Sequence, residues 1–168
     1  MKSKFVSAVA LVALCLAAYT GNALATPGSG FVGTTVAKAT FGDISSHVQD
    51  MTPQFWNEVI QTRGKSDLYV QQNTWQPGGS TGWHTHPGPS FVIVTQGSVT
   101  VYEGDDPSCT PHVYTAGTSD NSFVDIGGGD VHLIRNETGA VAQTMAVQIV
   151  PADATRRVDA PDPGHCSF

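Results

Sequence analysis

From Asp67 onward the chain alternates apolar and polar residues in short runs, each closed by Gly, Pro or Asp. That period of two, broken by turn residues, predicts strands joined by tight turns. The runs are Asp67–Trp75, Gly82–His86, Ser90–Thr95, Ser98–Glu103, His112–Thr115, Ser122–Ile126, Asp130–Arg135 and Val141–Val150. So many short strands predict an all-β sandwich or barrel. Upstream, Pro53-Gln54-Phe55-Trp56-Asn57-Glu58-Val59-Ile60 reads as one short N-terminal helix, with Thr52 as its cap and Pro53 in the first turn. Thr26 to Gly33 is rich in small residues and reads as a linker. The organisation implied is a linker and first strand over 26–40, followed by one barrel domain over 41–168.

Composition supports this picture. Gly reaches 18 and Pro 10 in 168 residues, while charged residues make up only 13%, which argues against a helical bundle or coiled coil. The formal net charge is −6 and no basic cluster occurs, so a nucleic-acid surface is not expected. The first 25 residues read as an export signal: Lys2 and Lys4 precede an apolar run from Phe5 to Ala18, and Ala23-Leu24-Ala25 supplies small residues for cleavage after Ala25. The alternative is an uncleaved anchor, but the run is shorter than the roughly 20 residues needed to span a bilayer. A secreted or periplasmic protein, with no membrane attachment after cleavage, is expected.

Export makes the cysteine count informative. Cys15 departs with the leader and leaves Cys109 and Cys166, an even pair in an oxidising compartment. A disulfide between them would tie a Pro-rich terminal tail to the middle of the chain; the alternative is two separate thiols.

Two stretches carry chemistry. In Gly82-Trp83-His84-Thr85-His86 the residues i and i+2 of a strand point the same way, so both imidazoles are aimed at one spot. In Gly127-Gly128-Gly129-Asp130-Val131-His132 a glycine turn feeds a strand carrying a third histidine, which an adjacent antiparallel strand would bring beside the first two. Three imidazoles on one face are a metal-ligand pattern.

These motifs resemble those of the cupins. The family's first motif is matched by Gly78, His84, His86 and Gly97, with Ser90 where a Glu is usual; its second is matched by Gly129, His132 and Asn136, with Gly127 in place of a proline and Asn121 in place of the leading glycine. The resemblance spans roughly Gln72 to Val150 and implies a jelly-roll (double-stranded β-helix) cupin barrel with a metal and a small-molecule ligand or substrate in its mouth. It implies His84, His86 and His132 as metal ligands and a divalent transition metal, Fe, Mn, Zn, Ni or Cu, as cofactor. It also implies pairing into a homodimer through a sheet face, for which Asp67–Trp75 is a candidate segment. Ser90 cannot supply an anionic ligand, so Ser90→Glu is expected to add a fourth one.

Asp130, two residues before His132, either offers a replacement carboxylate or shapes the glycine turn. Gln148 is an inward candidate because Ala146 and Val150 share its face; Ser90, Gln96 and Tyr102 are further candidates to line the mouth. Trp75 and Trp83 read as packing residues or as an aromatic wall, and His47, His112 and His165 as structural. Asn136-Glu137-Thr138 fits the glycosylation acceptor pattern. Two functions remain open. One is an enzyme acting on a small oxygenated or anionic substrate, dioxygenase-like, since the family includes three-His iron enzymes such as cysteine dioxygenase. The other is a protein that holds metal or a small ligand without turnover.

Overall fold

The computed structural model describes residues 25–49 and 56–168. The expected leader therefore lies outside the described residues, apart from Ala25. Among them the secondary structure is strand: β1 (Ser29–Phe41), β2 (Ser45–Gln49), β3 (Asn57–Gln61), β4 (Ser66–Ser80), β5 (His84–Thr85), β6 (Ser90–Gln96), β7 (Ser98–Glu103), β8 (His112–Thr115), β9 (Ser122–Asp125), β10 (His132–Arg135), β11 (Ala142–Pro151) and β12 (Val158–Asp159). All but β2 and β3 belong to one ten-stranded sheet.

The sheet curls into a jelly-roll with two faces. One runs β1-β4-β11-β6-β9 and the other β12-β5-β10-β7-β8. They join where Ser80 of β4 meets Arg135 of β10, a seam closed by the Thr81 and Asn136 amides donating to the Ile134 and Gly79 carbonyls. Alternation decides which side chains enter. On β6, Ser90, Val92 and Val94 are buried while Phe91 and Ile93 face solvent; on β11, Ala142, Thr144, Ala146, Gln148 and Val150 are buried. Trp75, Val94, Val99, Val101, Ile134 and Ala142 fill the closed end of the barrel.

A second cluster lies on the outer side of β7 and β10. Trp83, Tyr102, Leu133 and Ala160 pack there under Cys109 and Cys166, which form a disulfide. Both faces of β7 are consequently covered, one by the barrel core and one by the C-terminal segment. Removing Trp83, Tyr102 and Leu133 from water is worth roughly 2 kcal/mol each before entropy.

Three expectations change. The stretch expected as a linker joins β1 from Ser29 onward, pairing with β4 through a register interrupted by two irregularities. Its Phe31 ring packs on Trp75 with centroids 5.0 Å apart. The expected cap Thr52 and residues 53–55 of the expected helix lie outside the described residues; Trp56 precedes β3, and the remaining 57–60 belong to β3, whose Asn57–Gln61 pair with β2 in a separate hairpin. Finally, Asp67–Trp75 offers no free edge for edge-to-edge pairing with a second copy, because β4 is paired to β1 on one side and β11 on the other.

Candidate metal centre

The site is built where β5 meets β10. His84 and His132 are register partners across these strands, and His86 follows His84 by two residues. All three are buried, and they offer ring nitrogens within 4.8 Å of one another. This group could hold a metal ion.

The imidazoles are prepared for that role. Burial pushes His84 well below its ordinary value, with His132, Arg157 and His86 adding repulsion. Burial likewise takes His86 down to about 4 and lowers His132. All three are neutral near pH 7. The Nδ1–H of His84 donates to the Gly82 carbonyl at 3.0 Å, and the Nδ1–H of His86 to the Arg156 carbonyl at 2.7 Å. A carbonyl can only accept, so these bonds fix the tautomer and leave both Nε2 lone pairs free for a ligand bond.

The glycine turn before β10 sets the third histidine. Gly127 has φ 66° and lies against the Gly88 backbone, where a Cβ would collide with the Gly88 carbonyl; Gly128 N–H donates to the His86 carbonyl at 2.8 Å. The loops after His86 and before His132 are thus locked to each other, which holds the two strands' histidines in one place.

The same turn positions a carboxylate that the motifs do not name. Asp125 ends β9, is 7% exposed, and receives the Gly127 N–H on Oδ1 at 2.8 Å. Its Oδ2 is 3.7 Å from His86 Nε2 and its Oδ1 3.8 Å from His132 Nδ1. With the imidazoles neutral these are not ion pairs. Asp125 Oδ2 and His132 Nδ1 are both buried without a hydrogen-bond partner.

A cavity of about 50 Å³ opens beside the histidines. That is room for only a few waters or a small organic anion. Arg156 and Arg157 stand on its wall, with Ser90, Gln148, Trp75 and Phe31. Gln148 Nε2 donates to Ser90 Oγ at 2.8 Å, Arg156 Nη1 to Gln148 Oε1 at 3.4 Å, and Arg157 Nη2 to the Thr81 carbonyl at 2.6 Å.

The family model for the cupin domain matches residues 73–148. That stretch is a cupin domain. Among solved structures the chain is similar to an oxalate oxidase (22% identity, 51% of this chain and 46% of that one, TM-score 0.41). It is also similar to the polyketide cyclase RemF from Streptomyces resistomycificus (19%, 57% and 64%, TM-score 0.45) and to the cupin domain of an XRE family transcriptional regulator from Enterobacter cloacae (10%, 71% and 96%, TM-score 0.43). The chain spans less than two thirds of the first two of these structures. No curated protein matches it.

The cupin motifs account for the three histidines and for Asn136, whose role is structural. Asn136 is fully buried, its Nδ2 donating to the carbonyls of Trp75, Gln76 and Ala140 at 3.3, 3.2 and 2.7 Å, and its Oδ1 receiving the Thr138 amide and hydroxyl. The amide that a glycan would modify is thereby engaged inside the fold. Ser90 and Gln148 line the cavity as expected. Tyr102 does not; it lies in the outer cluster and donates to Glu137 at 3.0 Å. Gln96 is exposed. Asp130 sits in the glycine turn, half-buried and off the cavity wall, so the carboxylate beside the histidines is Asp125 instead. Trp75 packs in the core and reaches the cavity, whereas Trp83 packs on the outer side. His47 and His112 are exposed, and His165 lies edge-on to Trp83.

Proposed function

We propose that this cupin binds one divalent transition metal ion through His84, His86 and His132 and takes a small anionic, oxygen-bearing ligand or substrate at the ion's open positions. The convergence of three buried, neutral imidazoles on one small cavity carries this reading. Imidazole donors suit Fe, Zn, Ni and Cu, and admit Mn. When bound, the ion supplies Lewis acidity toward a ligand oxygen.

The chain's own residues do the rest. Arg156 and Arg157 add positive charge to the cavity wall and favour a carboxylate-like ligand. The Ser90–Gln148 pair offers a hydroxyl and an amide to its oxygens, while Trp75 and Phe31 keep one side apolar. Among the described residues the wall carries no Lys, Glu or Tyr, and its one carboxylate, Asp125, stands beside the histidines. That scarcity favours redox chemistry on a coordinated ligand, dioxygenase-like, or simple ligand holding, over acid–base catalysis.

Elemental analysis of protein purified without chelator, beside a variant with His84, His86 and His132 changed to Ala, tests the reading. One equivalent of metal in the parent and none in the variant is expected. Metal absent from both, or retained in the variant, overturns it. Oxygen uptake with small carboxylic acids then separates turnover from holding.

We also read the chain as exported, supported by the leader-like 1–25 and by the Cys109–Cys166 disulfide. A mature N-terminus at Thr26 is expected from mass spectrometry. Exposed Phe91, Ile93, Val124 and Val147 on the outer face of β6, β9 and β11 support a homodimer through that face. A light-scattering mass of twice the chain is expected.

A further inference from the structure

We infer that Asp125 is the anionic ligand of this metal centre, delivered from β9 to the place that Ser90 leaves without a carboxylate. The inference rests on the proposed three-His metal site and adds a fourth donor to it.

Register is the first ground. Ser90 and Asp125 are directly opposite each other across the β6–β9 pair, and both are buried facing the cavity. A side chain on either strand at this rung reaches the same volume. The second ground is the state of the carboxylate. Oδ1 is held by the Gly127 amide, but Oδ2 is buried with no hydrogen-bond partner. A carboxylate oxygen buried without a donor is costly unless a cation faces it.

Distance supplies the third. Oδ2 is 3.7 Å from His86 Nε2, the nitrogen left free for a ligand bond. Two donors each about 2.1 Å from one ion stand at most about 4.2 Å apart, so this pair can share it. A role limited to orienting His132 is disfavoured, because Oδ1 is 3.8 Å from its Nδ1, beyond hydrogen-bonding reach.

The test is binding of Mn²⁺ and of Ni²⁺, each alone, to the full chain by calorimetry. Asp125→Asn keeps the oxygen that accepts the Gly127 amide and removes the charge. It should weaken Mn²⁺ about tenfold or more and Ni²⁺ less, because carboxylate oxygen suits the former and imidazole the latter. Ser90→Glu should restore Mn²⁺ affinity in the Asp125→Asn background, yet change it less than about threefold in the parent, where the place is already filled. Equal affinities for parent and Asp125→Asn, or strong tightening by Ser90→Glu in the parent, overturn the inference while leaving the three-His reading intact. A parent that binds neither ion overturns both. If Asp125→Asn fails to fold, the Ser90→Glu single variant decides alone.

Discussion

His132 and His84 stand directly opposite each other on β10 and β5, with ring centroids 4.3 Å apart. Two rings held this close, with burial disfavouring the protonated form of both, could share a cation. His84→Ala should therefore lower metal affinity at least about a hundredfold, and His132→Ala likewise, whereas His112→Ala on exposed β8 should not change it. Isothermal titration with Zn²⁺ reads the difference; equal losses for the exposed histidine would show binding elsewhere.

Acid should loosen the barrel at the start of β4. Asp67 is buried and receives the Lys38 ammonium at 2.8 Å and the Thr40 hydroxyl at 2.6 Å. The Lys38 hydrogen bond, then that of Thr40, hold its carboxyl below the ordinary 3.8. A lowered folded value means stability that is present above 3.8 and lost as pH falls through the folded value. The melting temperature should drop below about pH 4, and Asp67→Asn should be less stable at neutral pH while showing a flatter acid limb.

Reduction should act on the covered outer side of β7 and β10. Cys109 and Cys166 close a loop of 57 residues, worth roughly 4 kcal/mol in the chain-entropy model. A lower melting temperature in dithiothreitol is expected, together with brighter, red-shifted tryptophan emission as water reaches Trp83. A Cys109→Ser/Cys166→Ser variant should melt at the reduced temperature and not respond to thiol.

Asn136 ties the end of β10 to β4 through the Trp75 and Gln76 carbonyls, and to the following turn through the Ala140 carbonyl and Thr138. Asn136→Ala leaves those buried groups without partners and should cost about 2–4 kcal/mol in denaturant unfolding. Asn136→Asp should be worse, because it sets a negative charge against carbonyl oxygens.

The histidine triad was legible in the sequence because its signal is local: i and i+2 on a strand, and fixed spacing around a glycine turn. Asp125 was not, since its place depends on which strand pairs with β6. Asp130 is closer to His132 in sequence, but β10 begins only at His132, and the positive-φ glycines 127–129 carry Asp130 away from the cavity while leaving Asp125 inside it. One clue was present: Phe123 and Asp125 share a strand face, and Phe123 packs on the core. β1 was legible only as a first strand somewhere within 26–40, with its start hidden in the expected linker, because its Gly, Thr and Ala residues are mostly exposed and pairing with β4, not burial, makes it a strand. In 55–60 the apolar residues Phe55, Trp56, Val59 and Ile60 fit a helical period, an ambiguity inherent in short apolar runs. Arg156 and Arg157 lie beyond the last long strand, where no periodicity predicts the path.

That last segment divides the labour of the molecule. The barrel contributes the imidazoles and Asp125, but the positive charges of the wall, and the carbonyl that holds the His86 ring, come from residues after β11, beyond the stretch 73–148 that the cupin model matches. On the proposed function, the groups that grip the ion and the positive charges that choose its guest are therefore encoded in different stretches of the gene. Rewriting the tail side chains would retune what enters while the barrel stays the same, an economical route by which one scaffold can diversify.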